Sequence, residues 1–184
     1  MLNLNFSPFP VLSSGNVVLR QLHEHDAPAI FRLRSDEKLM KFIPRLRATS
    51  VEDARLLIEN FNSGLPDNSS IIWGITLKDE DQVIGTIGYR TISKENYRAE
   101  IGYMLHHDYH GKGIIGRALE AAVRYGFEVM KLHSIVAVVD AENTASLKLL
   151  EKNKFIKEGY FRDSQFYNGR FHDNVHYSRL RTDG

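Results

Sequence analysis

The sequence predicts a mixed α/β fold: a twisted, mixed but mostly antiparallel sheet of about seven strands, with helices on both faces and a central βαβ crossover. Ser70–Leu77, Gln82–Arg90 and Ala99–Leu105 are three strand-like runs joined by tight links. A long amphipathic helix over Gly113–Met130 then leads into His133–Val139, an apolar and β-branched run that suits a buried strand. Near the end, Asn168-Gly169 separates Phe155–Phe166 from Phe171–Leu180, and Asn-Gly between apolar runs is the strongest short hairpin signal.

Asn16–Gln21 follows a Ser-Ser-Gly turn signal and carries a β-branched pair, so it reads as the first strand. Asp26 then caps a helix with Pro28 in its first turn, and Ile30, Phe31 and Leu33 supply its apolar face. Leu39–Ile43 is short and ends before Pro44. Ser50 with Asp53 forms a capping box that opens a helix to about Phe61, with Leu56, Leu57 and Phe61 at helical spacing. Asp79, Glu80 and Asp81 close the first link between strands, and Ser93–Asn96 closes the second. In the long helix Ile115, Leu119, Ala122, Tyr125 and Val129 mark one face; Arg117, Glu120, Arg124 and Glu128 mark the other. Asn143–Asn153 is helical. The crossover spans roughly Ala99–Val139 and should be right-handed.

The chain has 184 residues, which fits a single domain over 1–184 at the usual size of about 100–200 residues. Apolar residues make up 42% and charged residues 26%, as in ordinary globular proteins, so a disordered, collagen-like or coiled-coil chain is excluded. No cysteine is present, which removes disulfides, thiolate metal sites and a cysteine nucleophile together. Lys and Arg number 24 against 23 Asp and Glu, a net +1. Such a balance gives no bulk basic excess to hold a nucleic-acid backbone. No run approaches the ~18 apolar residues of a membrane helix, and Met1–Pro10 does not read as a secretory signal. The expectation is a soluble, cytoplasmic protein, with monomer and homodimer both open.

The most informative stretch is His110-Gly111-Lys112-Gly113-Ile114-Ile115-Gly116, between a predicted strand and the long helix. Glycines let the backbone approach a ligand closely, and a helix start offers free N–H groups at a positive dipole end. With Lys112 adding charge, this is a site for a phosphate or pyrophosphate. A P-loop is excluded: Gly113 replaces the required Ser or Thr, and His106 stands where its first glycine belongs. A Rossmann fingerprint matches only as a string, since antiparallel-type strands precede it and the acid at the next strand end, Asp140, is too distant.

Ala99-Glu100-Ile101-Gly102-Tyr103-Met104-Leu105, followed by Tyr109-His110-Gly111-Lys112-Gly113-Ile114, resembles the acetyl-CoA motif of the GNAT superfamily of N-acetyltransferases. Asn143-Thr144-Ala145-Ser146-Leu147-Lys148-Leu149-Leu150-Glu151-Lys152 resembles that family's second motif. Asp173-Asn174-Val175-His176-Tyr177 resembles the closing strand of the branch that acetylates ribosomal-protein N-termini, and Val18-Leu19-Arg20 with Asp26 also matches. The resemblance runs from Asn16 to Leu180.

The resemblance implies a GNAT fold and acetyl-CoA as cosubstrate. Its diphosphate would sit on the amides of Gly111–Gly116, in a loop that includes His110, Lys112, Gly113, Ile114 and Ile115. Pantetheine would lie in a V-shaped gap between the strands of Glu100–Leu105 and His133–Val139, opened by a bulge in the former. An amide near Met104 or Leu105 would polarise the thioester carbonyl. Tyr103 completes this part of the cofactor set, and Asn143 would hydrogen-bond the pantetheine arm. Several positions depart from the family pattern. His110 replaces the usual Gln or Arg, Ile115 the common Gly or Ala, and Lys154 the Gly before the closing Phe. Leu150 stands where the family often has a Tyr acid, so Ser146 carries over as the candidate acid and as a cofactor contact.

The implied mechanism is direct attack of a neutral amine on the thioester. An α-amino group has a pKa of about 7.7–8.0 against ~10.4 for lysine, so a carboxylate acting through water suffices for an N-terminal acceptor. Glu100 is the candidate base, although its alternation with Ile101 also fits a solvated strand position.

Eight histidines are present, but neither His106, His107 and His110 nor the pair His172 and His176 has convincing ligand spacing, so no metal is expected. Trp73 reads as core, and Tyr97, Tyr103, Tyr160 and Tyr167 as packing, with the lining of an acceptor pocket as the alternative. Arg45 and Arg47 read as a solvated loop, with contact to an acidic acceptor as the alternative. Glu37, Asp163 and Asp173 read as surface charge, with binding of a cationic amine as the alternative. The leading function is N-acetylation of a protein N-terminus such as that of a ribosomal protein. Its rivals are a small-molecule acetyltransferase for polyamines, aminoglycosides or amino-acid-like compounds, and a non-catalytic acyl-CoA sensor.

Overall fold

A computed structural model describes residues 1–183. Its first two strands, β1 (Leu12–Ser14) and β2 (Val17–Arg20), form a hairpin about Gly15. Gly15 has φ +58°, where a side chain would be strained. The expected first strand is therefore the second, and Ser13 and Ser14 pair in a ladder instead of forming a turn before it. The additional strand makes the sheet eight-stranded, not seven.

Helices α1 (Ala27–Ser35), α2 (Glu37–Met40) and α3 (Val51–Asn62) follow. Asp26 precedes α1 without capping it through its side chain. Its carboxylate instead accepts two hydrogen bonds of 2.8 Å from Arg20 and one from His23 N–H. The capping box of α3 forms as expected, with Asp53 N–H donating to Ser50 Oγ at 3.1 Å.

The three-strand run is a meander of β3 (Ile71–Leu77), β4 (Gly85–Ser93) and β5 (Arg98–Leu105). Val83 and Ile84 are buried, which explains the earlier start read for β4, but they lie in the link before its ladder. Helix α4 (Ile114–Glu128) connects β5 to β6 (Ser134–Asp140), and these two strands pair in parallel. Helix α5 (Thr144–Lys152) leads to the hairpin of β7 (Ile156–Tyr167) and β8 (Arg170–Leu180). Asn168 and Gly169 at its tip have φ +50° and +76°, the two left-handed residues a tight hairpin turn requires. The sheet order is β1-β2-β3-β4-β5-β6-β8-β7. Lys154, where the family pattern has glycine, has φ +64° just beyond α5.

Apolar clusters lie on both faces of the sheet. One joins α4 and α5 to Trp73, Tyr89, Ile101, Leu105 and Tyr177; the other joins α1–α3 to Leu22, Ile72 and Met104. Trp73 is fully buried, as expected of a core residue. Alternation along β5 sends Ile101, Tyr103 and Leu105 to the α4 face and Glu100, Gly102 and Met104 to the α1–α3 face.

Candidate active site

β5 and β6 pair at three positions only: Arg98 with Ser134, Ala99 with Ile135, and Glu100 with Val136. Past Glu100, β5 stays with β4 as far as Leu105, while β6 stays with β8 as far as Asp140. A wedge therefore opens in the sheet between Ile101–Leu105 and Ala137–Asp140. The bulge expected in β5 lies instead on β4. The register steps from Tyr89–Ile101 to Thr91–Glu100, leaving Arg90 as the extra residue. A bulge bends and twists its strand, and this one acts beside the residue where β5 leaves β6.

Backbone parity decides which amides reach the wedge. His106 N–H donates to Ile84 O at 2.8 Å. In an antiparallel ladder, direction alternates residue by residue, so Met104 and Gly102 also turn their amides to β4. Ile101, Tyr103 and Leu105 turn theirs to the wedge. Of the two amides expected to polarise a carbonyl, that of Leu105 faces the wedge and that of Met104 faces β4; the Tyr103 amide also faces the wedge. The Leu105 carbonyl on the same edge lies 2.9 Å from His110 Nε2. Thus His110 ties the end of β5 to the glycine loop, and an Nε2–H tautomer donates this bond.

The loop itself is shaped by backbone conformation. Gly111 and Gly113 have φ +74° and +72°, and a Cβ at either would meet no atom within 4 Å. The space above them is open to a ligand. Gly113 is the N-cap of α4, and Arg117 N–H already bonds Gly113 O. The amides of Ile114, Ile115 and Gly116 are then the donors a helix start leaves for an anion. Ile114 is buried and Ile115 packs on the α4 core, so both can offer only their backbone. The Lys112 Nζ lies over the Tyr109 ring at 5.3 Å.

Asn143 and Ser146 lie at the start of α5, where Ser146 N–H donates to Asn143 Oδ1 at 3.2 Å. This cap fixes the helix start opposite β5. The Tyr103 hydroxyl lies 2.7 Å from Ser146 Oγ. Burial pushes the Tyr103 pKa up to about 12, against the opposing effect of the Ser146 hydrogen bond. Leu150 is fully buried packing. Tyr103, placed by the resemblance in the cofactor set and read from its own pattern as packing, thus has its hydroxyl beside the candidate acid, a pairing no local spacing reveals.

Glu100 opens onto the other face, in a cavity of about 1010 Å³. Its walls come from α1 and α3, the loop Phe42–Thr49, the bulged end of β4, and the facing parts of β6 and β8. The loop arginines Arg45 and Arg47 are wall residues, so the solvated-loop reading is incomplete. Arg34 was missed from sequence, although it stands four residues after Ile30, at a core position of α1. It is 6% exposed. Burial pulls its guanidinium down to about 10, with Arg90 and Arg45 adding to the shift. Arg90 faces the open cavity, yet surrounding protein also lowers its pKa, opposed by Glu100.

On the same wall, Asp140 accepts from Tyr167 Oη at 2.5 Å and lies 2.8 Å from His172 Nδ1, with the Tyr167 and His172 rings stacked. His172 is thereby paired with a carboxylate, while His176 contacts the Phe161 ring. His106, His107 and Asp108 cluster in the exposed turn before the glycine loop. Tyr97 and Tyr160 are exposed and away from the cavity. Asp173 accepts from Tyr160 and Asp163, and Glu37 lies 3.5 Å from Arg47.

The parallel pair splits between the strands of Glu100–Leu105 and His133–Val139, where the motif resemblance implied a gap. A family model described as an acetyltransferase (GNAT) domain matches residues 16–156. The chain belongs to the GNAT acetyltransferase family. This GNAT chain is 35% identical over 173 residues to the uncharacterized N-acetyltransferase YoaA of Bacillus subtilis, covering 94% of the chain and 98% of that protein. It is 32% identical over 174 residues to the ribosomal protein uS5-alanine N-acetyltransferase of Escherichia coli, covering 89% and 87%. A GNAT-family acetyltransferase from Bacillus anthracis superposes with a TM-score of 0.83 at 28% identity, covering 94% of this chain and 99% of that one. The protein is thus an N-acetyltransferase that uses acetyl-CoA. No helix among the described residues is long and apolar enough to cross a membrane.

Proposed function

We propose that this enzyme acetylates the α-amino group of a protein N-terminus, a ribosomal protein being the first candidate. The observation that carries the reading is the cavity of about 1010 Å³ that opens where β5 leaves β6. It lies at the upper end of the range of about 300–1,000 Å³ for small-ligand pockets, so it accommodates several residues of an extended chain. One relative is named for acetylating an alanine of ribosomal protein uS5. The arginines in the walls disfavour the polyamines and aminoglycosides of the rival reading, because polycations meet like charge there.

Acetyl-CoA supplies an activated acetyl group as a thioester. The amides of Ile114, Ile115 and Gly116 take its diphosphate, with His110 and Lys112 framing the loop between Gly111 and Gly113. The Leu105 and Tyr103 amides face the wedge and stabilise the developing oxyanion. Asn143 and Ser146 line the far side, with Met104 backing the strand from the other face. Glu100 takes a proton from the incoming amine through water. The Tyr103–Ser146 pair returns a proton to the departing thiolate; the raised Tyr103 pKa keeps that proton available at neutral pH.

The test is release of free CoA from acetyl-CoA across an amine panel of short peptides, free lysine, spermidine and an aminoglycoside. The expected result is turnover of peptides through the α-amine, located by mass spectrometry. Turnover of spermidine or the aminoglycoside, with none of any peptide, overturns the reading.

A further inference from the structure

The cavity beside Glu100 holds more positive charge than its own residues neutralise. Arg34, Arg45, Arg47 and Arg90 line it, as do Asp53, Glu100 and Asp140. Two of these carboxylates are already engaged. Asp53 accepts from the Thr49 and Ser50 amides in the capping box, and Asp140 is held by Tyr167 and His172. Arg47 pairs with Glu37 at 3.5 Å. That leaves Glu100 facing Arg34, Arg45 and Arg90.

None of these three arginines has a carboxylate within ion-pair distance among the described residues. Arg34 is more than nine-tenths buried, yet its hydrogen bond is to Met40 Sδ at 3.9 Å, with the Phe61 ring 5.7 Å from its guanidinium carbon. Neither contact neutralises it. Among the described residues Arg45 donates only to the neighbouring Pro44 carbonyl, at 3.4 Å. Arg90 is the bulge residue, and its side chain lies across Gly102, where a Cβ would come 2.9 Å from its Nε. A bulge and a glycine thus combine to lay this guanidinium over β5, two residues from Glu100. A buried, uncompensated charge is costly and is retained where a counter-charge arrives.

We infer that the Arg34–Arg45–Arg90 cluster receives a side-chain carboxylate of the acceptor, so that the preferred substrate is a protein N-terminus with Asp or Glu close behind its first residue. This rests on the α-amine reading above and narrows it. The amine goes to Glu100, which has the complementary charge, and the carboxylate goes to the arginines around it. Arg forks match carboxylates bidentately, which gives position as well as attraction.

The experiment compares kcat/KM for tetrapeptides of one first residue, with Glu, Gln or Lys at the second or third position, and for free glutamate. The expected result is a preference for Glu over its isostere Gln of about ten-fold or more, the size of one charge-assisted hydrogen bond, carried mainly by KM. Arg90→Gln should reduce that ratio to near one, and so should Arg34→Met, with folding of each checked by thermal unfolding. Arg90 faces the open cavity, so its variant keeps the test intact if Arg34→Met unfolds. Equal kcat/KM for Glu and Gln peptides overturns the carboxylate site while the α-amine reading stands. A Glu preference that survives in folded Arg90→Gln and Arg34→Met overturns this placement of it. Turnover of no peptide at all overturns both, and turnover of free glutamate above every peptide shows that an amino acid supplies the carboxylate, which overturns the protein acceptor.

Discussion

Tyr103 and Ser146 belong to the two elements that flank the split in the sheet, and their hydroxyl oxygens lie 2.7 Å apart. At that distance one hydroxyl donates a hydrogen bond to the other. Tyr103→Phe removes the buried hydroxyl while leaving the ring in place. It should lower kcat by about 10²-fold, the lower end of general acid–base contributions, with little change in KM for acetyl-CoA. Ser146→Ala should fall in the same direction, and the double variant should lose little more than either single one, as expected of groups acting as a unit. Steady-state CoA release measures this; full kcat in Tyr103→Phe removes the pair from the mechanism.

As the proposed base, Glu100 should have an effect that depends on pH. Below the α-amine pKa of about 7.7–8.0 the acceptor is mostly protonated and the base is most needed. Glu100→Gln should lose about 10²-fold in kcat/KM at pH 7, with the deficit narrowing as pH rises past that value. The wild-type profile should show no descending limb up to pH 10 from the acid side, because Tyr103 keeps its proton until about pH 12. A variant with full rate at every pH would exclude Glu100 as the base.

Gly113 tests the cofactor loop separately from folding. A side chain there meets no neighbour within 4 Å, so its cost is the left-handed backbone alone, about 1–2 kcal/mol. Acetyl-CoA at 100 times its Kd stabilises a specific site by about 2.7 kcal/mol. For a chain of this size that raises Tm by roughly 5–10 °C. The wild-type protein should show this shift and Gly113→Asp should lose it, since a carboxylate then faces the diphosphate.

The Arg20–Asp26 pair governs stability, not chemistry. Burial pushes the Asp26 carboxyl up, but the Arg20 hydrogen bonds and the His23 amide outweigh it and hold the pKa below its ordinary value. A depressed carboxylate stabilises fully above its unfolded pKa of about 3.9, and that stabilisation is lost as pH falls through the folded value. Asp26→Asn should cost about 1.5–3 kcal/mol at pH 7, the size of hydrogen bonds to a charged group, because Arg20 keeps Asp81 at 2.8 Å as its remaining carboxylate. Denaturant unfolding should show the gap closing below about pH 4.

The sheet was legible because its signals are local. Apolar runs between turn residues placed β3, β5 and β6, and Asn168-Gly169 placed the final hairpin. The strand that was missed, Leu12–Ser14, has serines where a ladder was not expected; its partner β2 and the helix α4 behind it hold it in place. The glycine loop was legible for the same local reason, since both glycines are needed at positive φ. The acceptor side was not. Arg34, Arg90 and Asp140 lie far apart in the chain, and their shared cavity exists only after α1, β4 and β6 have packed. A charged residue at the core position of α1 was the single local hint. The bulge was misplaced by one strand because register depends on both partners of a ladder.

Glu100 and Tyr103 are three residues apart in one strand, so they face opposite sides of the sheet. The sheet is therefore a partition with a single slot, and each substrate arrives in its own compartment. On the proposed assignment the amine would enter from the α1–α3 side and the nucleotide thioester from the α4 side. Neither substrate has to leave before the other can bind, and neither product blocks the other's exit. Turnover through a complex of all three components is then the expected course, and product-inhibition kinetics should reveal CoA and unreacted acceptor occupying both sides of the wall at once.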